Sequence, residues 1–151
     1  MPTTQSSAAT IMQIVITQVA AEQVWAIRHR SLRIGQPLGT ERMPGIDEHP
    51  DTINLLLTAD GNGVGCATFK PEQNGPSKWR LRGMAIDQSH RRQGLGKRLV
   101  DYFVAIHGDS IWCNARTGAL EFYQSCGFAA EGNEFDIAPI GPHYVMRIVS
   151  E

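Results

Sequence analysis

The stretch that decides the fold is residues 79–104, WRLRGMAIDQSHRRQGLGKRLVDYFV. It begins with an extended run at residues 79–86, which breaks at Asp87. A basic loop with two glycines, residues 91–96, follows the break. Beyond it, apolar residues recur at helical spacing, at Leu95, Leu99, Val100, Phe103 and Val104. We therefore predict a strand, a glycine-containing loop and a helix N-terminus in direct succession.

This succession predicts an anion-binding site. Free backbone N–H groups and the positive end of the helix dipole point at whatever lies in the loop. Gly94 and Gly96 have no side chain and allow a diphosphate to approach the backbone, while Arg91, Arg92 and Lys97 add positive charge. The spacing matches neither a P-loop nor a dinucleotide-binding fingerprint. We interpret the loop as a phosphate site, and the alternative is a glycine-rich helix start with solvated arginines.

A second informative block lies at residues 110–128. Residues 110–115, SIWCNA, predict a short buried strand, and a turn follows in which Thr117 is a possible N-cap. Residues 119–126, ALEFYQSC, predict a short helix that stops at Gly127, and Phe128 opens the next strand.

Together the two blocks resemble the GCN5-related N-acetyltransferases, over roughly residues 10–149. The pattern R-x-x-G-x-G at residues 91–96 is similar to the turn on which this family holds the pyrophosphate of coenzyme A. The pattern N-A-x-x-x-A-x-x-F-Y-x-x-x-G-F at residues 114–128 looks like the second half of the family's core. The resemblance implies acetyl-CoA as co-substrate and no metal. It implies contacts with coenzyme A at Met84, Ala85, Ile86, Arg91, Arg92, Gln93, Gly94, Leu95, Gly96, Lys97, Asn114, Phe122 and Tyr123.

The order of predicted elements matches that family. The remaining elements are a strand at 11–17, a helix at 20–33, an irregular stretch at 34–51, strands at 52–59 and 63–70, and strands at 128–137 and 143–149. We expect an α/β (α+β) fold, the acyl-CoA N-acyltransferase fold, with a mixed, mostly antiparallel central sheet of about six or seven strands flanked by helices. Residues 1–10 are predicted to be a flexible tail, and residues 11–151 a single N-acetyltransferase domain.

The chemistry implied by the resemblance needs an oxyanion donor and a general acid. The family's fourth and fifth strands separate at a bulge, and Gly83 lies where a bulge would cost little. The backbone N–H of Met84 is then our choice for the oxyanion donor. Tyr123 matches the family's general acid for the leaving thiolate, and its structural alternative is a tyrosine that packs the helix against the sheet. Asn114 either positions cofactor or water, or satisfies backbone groups at the strand end.

The general base is less clear. The predicted fourth strand carries Arg80 and Arg82, neither of which can accept a proton at neutral pH. Strand alternation places Arg82 on the face of Met84, where we expect it to bind an anionic group of the acceptor. Candidate bases are His143, whose ordinary pKa suits proton transfer near neutral pH, and residues of the 34–51 stretch: Glu41, Asp47, Glu48 and His49. We predict that Arg82, Glu41 and His143 contact the substrate.

Composition limits the alternatives. The chain has 151 residues, 42% hydrophobic and 19% charged, with a net charge of −1, so neither nucleic acid nor a membrane is expected as a partner. The three cysteines have neither metal nor redox spacing and read as buried free thiols. An apolar run near ~20 residues and a signal-peptide core are both absent from the sequence, so a reducing cytoplasm is the expected location. A monomer or homodimer is expected.

Two functions are compatible with these patterns. The first is an acetyl-CoA-dependent N-acetyltransferase that moves an acetyl group directly to a small amine, possibly anionic and amino acid-like. The second is a non-catalytic acyl-CoA-binding sensor or regulatory module. Tyr123 favours the enzyme, whereas the lack of a base on the predicted fourth strand favours the sensor.

Overall fold

The computed structural model describes residues 11–72 and 74–148. The predicted tail at residues 1–10 and the predicted strand end at Val149 lie outside the described residues. Within them the chain forms seven strands and three helices: β1 (Ile14–Val19), α1 (Trp25–Leu32), β2 (Ile53–Ala59), β3 (Asn62–Pro71), β4 (Trp79–Ile86), α2 (Leu95–His107), β5 (Ile111–Arg116), α3 (Leu120–Ser125), β6 (Phe128–Ile137) and β7 (Gly141–Ile148). This order of elements confirms the predicted one.

The seven strands form a single mixed sheet in the order β1-β2-β3-β4-β5-β7-β6. β4 and β5 are parallel, and every other neighbouring pair is antiparallel. A parallel pair requires a crossover connection, and here α2 provides it between β4 and β5. The predicted mixed, mostly antiparallel sheet is therefore confirmed.

The helices cover the two faces of the sheet unequally. On one face, Val24 and Ile27 of α1 and its N-terminal flank pack against Cys66 and Ala85 of the central strands. On the other face, α2 and α3 cover the larger core. Its largest fully buried side chains include Phe69, Phe103, Leu55, Leu57, Leu99, Ile111 and Met146. We call these the α1 face and the α2 face. Apolar spacing along α2 accounts for its burial, because Leu95, Leu99 and Phe103 fall on one side of the helix.

The ends of several elements differ from the predictions. β1 begins three residues later than expected, and the first helix is divided into a 3₁₀ turn at Ala21–Gln23 and α1. Leu32, an apolar residue at the end of α1, is 41% exposed. Thr117 does not cap α3, because its hydroxyl donates a hydrogen bond to Glu134 Oε2 at 2.8 Å instead. The prediction of an N-cap at Thr117 was wrong, because the hydroxyl donates to Glu134 of β6 and not back to the chain at the start of α3.

Candidate active site

A gap opens between β4 and β5 directly after their first paired residues. Only Trp79↔Ile111 and Arg80↔Trp112 are in register, and the two strands then separate. At the same place β4 carries a bulge, because Phe69 pairs with Leu81 and Thr68 with Gly83. Arg82 is therefore the extra residue. The expected separation and the expected bulge next to Gly83 are both present.

The bulge corrects one prediction about side-chain direction. The extra residue at Arg82 interrupts the alternation along β4. Leu81 and Met84 consequently share the α2 face and its core, while Gly83, which pairs with Thr68, lies on the α1 face. Simple alternation had placed Arg82 on the face of Met84, which was wrong. Instead, Arg82 lies on the α1 face beside the point where the strands separate.

The predicted phosphate loop ends in backbone geometry suited to an anion. Gly94 is the residue before α2 and adopts a left-handed conformation with φ 74°, and Arg92 has φ 65°. A side chain at Gly94 would have open space around it, so the glycine is required by its backbone angle. Arg91 Nε donates to the carbonyl of Ile86 at 3.0 Å, which fixes the loop to the end of β4. The exposed start of α2 therefore presents backbone N–H groups and positive side chains together.

Gly96 has a different structural role. A Cβ at this position would lie 2.9 Å from Cys126 Sγ and 3.0 Å from Phe122 Cζ. The missing side chain thus permits close packing of α3 on α2. Gly96 lies next to the loop, but the space where its side chain would be is filled by Cys126 and Phe122.

Tyr123 lies on the α2 face, close to β5. Its ring makes edge contacts with Phe122 and Phe128, with ring centroids 5.2 and 5.8 Å apart. Burial is the main cause that raises the pKa of the Tyr123 phenol well above its ordinary value, and the neighbouring thiols of Cys113 and Cys126 add to the increase. The phenol therefore keeps its proton at neutral pH.

Asn114 lies on the α1 face of β5, and His143 lies on the same face of β7, one strand farther from the gap. Asn114 pairs with Val145 and Arg116 with His143, while their neighbours Ala115 and Met146 belong to the α2-face core. Asn114 Oδ1 is buried without a hydrogen-bond partner among the described residues. His143 is 5% exposed, and its Nδ1 lies 2.7 Å from the carbonyl of Gly141. Because a carbonyl only accepts, Nδ1 must carry the proton, which leaves Nε2 of the neutral ring able to accept one.

The acidic candidates of the 34–51 loop are held by their own loop. Glu41 accepts from the N–H of Gly39 at 2.8 Å, and backbone hydrogen bonds lower the pKa of its carboxyl. Glu48 accepts from the N–H of Gly45 at 2.6 Å, and His49 Nδ1 from the N–H of Asp51 at 3.1 Å. These side chains stabilise turns of the loop, which weakens their case as general bases.

Asp47 is bound still more firmly, by a buried residue that the sequence patterns did not single out. Arg28 is 2% exposed and donates to both carboxylate oxygens of Asp47, at 2.8 and 2.9 Å. Burial alone would raise the pKa of Asp47, but hydrogen bonds from Arg28, from the Met43 N–H and from Trp25 outweigh it and lower that pKa. Arg28 also donates to the Thr68 hydroxyl at 2.8 Å. The sequence offered one indication that Arg28 is buried: it lies about one helical turn after Val24, on the buried side of α1.

This network places the 34–51 loop beside the gap. With Asp47 held against α1 and β3, the methyl group of Met43 lies 3.7 Å from where a Gly83 side chain would begin. Met43 therefore forms a wall of the space next to the bulge. The 34–51 loop therefore borders the α1 face of the gap near the bulge.

Two arginines and a glutamate occupy the closed end of the gap. Arg80 and Arg82 donate to Glu72 at 3.3 and 3.0 Å, and all three side chains are 21–26% exposed. Burial, and then the charge of Arg80, lowers the pKa of the Arg82 guanidinium. Glu72 and the stacking partner of Arg80, Trp112, were not identified from the sequence.

The residues of the gap fit the coenzyme A predicted from the sequence resemblance. Beyond Arg80, one edge of β4 pairs with no strand among the described residues, so Met84, Ala85 and Ile86 border the gap. The unpaired Asn114 oxygen is a buried acceptor on β5, next to the gap, that a ligand amide could satisfy. The start of α2, with Gly94, lies at the far end of β4 and suits a diphosphate.

Other chemistry finds less support. In residues 11–72 and 74–148, no group of three or more His, Cys, Asp or Glu side chains is arranged to hold a metal ion. Cys66, Cys113 and Cys126 are buried free thiols, as predicted, and burial raises their pKa values to about 11, about 12 and about 11. No helix in the described part of the chain is long and apolar enough to span a membrane.

Known proteins share both the sequence and the fold. The Uncharacterized N-acetyltransferase YitI of Bacillus subtilis (strain 168) is 32% identical over 140 residues, which span 87% of this chain and 93% of that protein. The crystal structure of Escherichia coli ElaA aligns with a TM-score of 0.68 at 16% identity, covering 92% of this chain and 100% of that one. An aminoglycoside 6'-N-acetyltransferase complexed with coenzyme A aligns with a TM-score of 0.67 at 17% identity, covering 91% and 98%. At such identities the two structures show the fold alone.

The family model described as Acetyltransferase (GNAT) domain matches residues 50–130, from the start of β2 to the first residues of β6. The matched range includes the bulge, the loop before α2 and Tyr123. With this match and the 32% identical relative, the chain belongs to the GNAT acetyltransferase family.

Proposed function

We propose that this protein is an acetyl-CoA-dependent N-acetyltransferase that acetylates the amine of a small acceptor carrying an anionic group. The observation that carries the proposal is the gap between β4 and β5, with Tyr123 on one face of the sheet and His143 on the other. In this proposal Tyr123 donates a proton from the α2 face, and His143, on β7 beside β5, accepts one from the α1 face. Direct transfer needs this arrangement, because the amine must lose a proton and the leaving thiolate must gain one.

Coenzyme A would be held by the loop before α2 and by the open edge of β4. Gly94, Arg91 and Arg92 suit the diphosphate, and Asn114 Oδ1 can accept from an amide N–H. When bound, acetyl-CoA supplies an activated thioester carbonyl. The co-substrate is supported by the GNAT family membership of this chain and by the coenzyme A complex of the aminoglycoside 6'-N-acetyltransferase that shares its fold.

The chain's own residues handle the protons. Nε2 of His143 is free to accept a proton in the tautomer required by the Gly141 carbonyl. The amine gives up one proton as it becomes an amide, and two if it arrives protonated, as a lysine-like amine does at neutral pH. The Met84 N–H, next to the bulge, is the proposed donor to negative charge that develops on the carbonyl oxygen. Tyr123 is the proposed donor of a proton to the leaving sulfur, and its raised pKa means that the phenol is protonated before the reaction.

Arg82 is the proposed binding residue for the acceptor's anionic group. It lies at the bulge on the α1 face, on the side of the gap that the 34–51 loop borders through Met43. Glu41, the other predicted substrate contact on that side, is tied to Gly39 and stays a weaker proposal. Arg82→Gln should raise the acceptor's KM by about tenfold or more, the loss of one charge-assisted hydrogen bond, while the KM for acetyl-CoA stays within about twofold.

A screen of amines for thiol release from acetyl-CoA tests the function itself. The panel should pair each carboxylate-bearing amine with its decarboxylated or amidated analogue. Turnover that is faster for the carboxylate member supports the proposal. Coenzyme A binding in calorimetry without turnover on any amine would favour the alternative, a sensor that binds acyl-CoA.

A further inference from the structure

The turn between β3 and β4 brings one carboxylate to two guanidinium groups. Glu72 Oε2 accepts from Arg82 Nη1 at 3.0 Å, and Glu72 Oε1 accepts from Arg80 Nη1 at 3.3 Å. One carboxylate cannot neutralise two arginines, so the cluster keeps one uncompensated positive charge. We call Glu72, Arg80 and Arg82 the arginine cluster.

Two buried hydrogen-bond donors, one in the arginine cluster and one beside it, lack an acceptor. Within the described residues, Arg80 Nε and Trp112 Nε1 are buried and make no hydrogen bond. The Arg80 guanidinium lies 4.8 Å from the centroid of the Trp112 ring, so the two side chains are stacked. Buried donors are rarely left unpaired without a reason. The excess positive charge is carried by guanidinium groups that are 23% and 26% exposed, and it favours a negatively charged, oxygen-bearing ligand.

The turn between β3 and β4 packs against Trp112. Gly75 lies so close to the indole that an added Cβ would stand 2.2 Å from the ring, and its backbone covers the side of the ring that carries Nε1. Glu72, at the start of this turn, already accepts hydrogen bonds from both guanidinium groups. Because these side chains are held in place beforehand, less side-chain freedom is lost when an anion binds.

The cluster adjoins the reaction gap. Arg80 and Trp112 are the last paired residues of β4 and β5, and Arg82 is the bulge residue immediately beyond. Asn114, two residues further along β5 on the same face, has a buried oxygen without a partner. A group bound at the cluster would thus belong to a molecule whose other end reaches the gap.

We propose that the arginine cluster is a carboxylate subsite of the acceptor pocket, and that Glu72 restricts it to groups with a single negative charge. One carboxylate completes the neutralisation that Glu72 begins, whereas a phosphate dianion meets repulsion from the Glu72 carboxylate. This deepens the proposed function and rests on it for the identity of the acetylated molecule. Binding of the anion itself is independent of acetyl-CoA.

Anion titration of the full chain without acetyl-CoA tests the subsite. The probes are acetate and inorganic phosphate at about pH 8, against sodium chloride at matched ionic strength, because phosphate carries nearly two charges there. The readout is the indole N–H signal of Trp112 in ¹H–¹⁵N NMR spectra, assigned by its loss in Trp112→Phe. The Trp25 and Trp79 indole signals serve as internal controls.

In the native protein, acetate should shift the Trp112 signal and bind about tenfold more tightly than phosphate, a difference on the scale of one unfavourable charge contact. Glu72→Gln should strengthen the binding of both anions. The fold increase in phosphate affinity should be about ten times the fold increase in acetate affinity. Glu131→Gln, which removes a carboxylate from an exposed ion pair with Arg147, is the matched control and should change neither affinity.

Three results would overturn the subsite. They are an unshifted Trp112 signal with both anions, an equal change in acetate and phosphate affinity in Glu72→Gln, and weaker binding of both anions in that variant. A failed amine screen combined with selective acetate binding would instead refute the proposed acetyltransferase activity and leave the subsite intact.

Discussion

Arg28 and Asp47 form a buried, two-pronged ion pair that fastens the 34–51 loop to the sheet. Their side chains are 3% and 8% exposed, and both carboxylate oxygens accept from the guanidinium at 2.8 and 2.9 Å. Arg28 extends the contact to Asn54 and Thr68 on β2 and β3. The loop that borders the α1 face of the gap is therefore held by charge and hydrogen bonds in the interior.

Removing Arg28 should strongly destabilise the fold. In Arg28→Met the Asp47 carboxylate stays buried without its partner, so we expect a loss of about 3–5 kcal/mol in the free energy of unfolding, measured by urea denaturation. Arg147→Met is the control, because its partner Glu131 is half exposed and such surface pairs contribute at most about 1 kcal/mol. Equal losses in the two variants would contradict the proposed difference between buried and exposed pairs.

The same pair should make stability sensitive to acid. The pKa of Asp47 is lowered in the folded protein, so its contribution is complete above the unfolded value of about 3.9 and is lost as the pH falls below that value. Asp47→Asn should be less stable than the native protein near neutral pH, and the difference should shrink between about pH 5 and pH 2. Urea unfolding at a series of pH values measures it. A difference that stays constant over this range would show that Asp47 titrates normally.

Gly94→Val should abolish coenzyme A binding in a protein that still folds. The left-handed backbone at Gly94 is costly for a β-branched residue, so the loop should rearrange and lose its N–H geometry. Isothermal calorimetry should show at least about a tenfold loss in affinity. Gly61→Val is the matched control, because Gly61 has φ 86° and open surroundings but lies in the β2–β3 turn. Coenzyme A affinity that falls equally in both variants would point to general destabilisation.

Tyr123→Phe should lower kcat about 10²-fold or more while acetyl-CoA binding changes little. The phenol's raised pKa keeps it protonated, so its loss removes a proton donor while leaving the ring packed between Phe122 and Phe128. Steady-state kinetics on an identified amine, with single-turnover rates to confirm that chemistry limits turnover, provide the measurement. Tyr144→Phe, on the last strand, is a control for loss of a hydroxyl. A kcat within twofold of the native value would remove Tyr123 from the mechanism.

His143→Ala should reduce kcat, because it removes the imidazole proposed to accept a proton from the amine. The reason is the free Nε2 that the Nδ1–Gly141 contact implies. His143→Gln separates proton acceptance from hydrogen bonding, because it retains hydrogen-bonding capacity near Gly141 but cannot act as a base. Steady-state kinetics provide the measurement, and an unchanged kcat in His143→Ala would leave proton removal to water or to another group.

The sequence by itself determined the order of elements, the glycine-containing loop before α2 and the family. These features depend on local chemistry: the apolar spacing of α2, the glycines before it, and the two short patterns at residues 91–96 and 114–128. β4 and β6 have the predicted bounds of residues 79–86 and 128–137. Local preferences and side-chain periodicity are written into neighbouring residues, so they can be read before folding.

Tertiary structure alone decided which face each functional side chain occupies and which charges are paired. One extra residue at Arg82 reverses the alternation along β4, so Met84 and Arg82 point to different faces. Partners such as Glu72 for Arg82, and Asp47 for Arg28, lie 10 and 19 residues away along the chain. Side-chain direction after a bulge and pairing between distant charges depend on long-range registration of strands and loops, which no local pattern encodes.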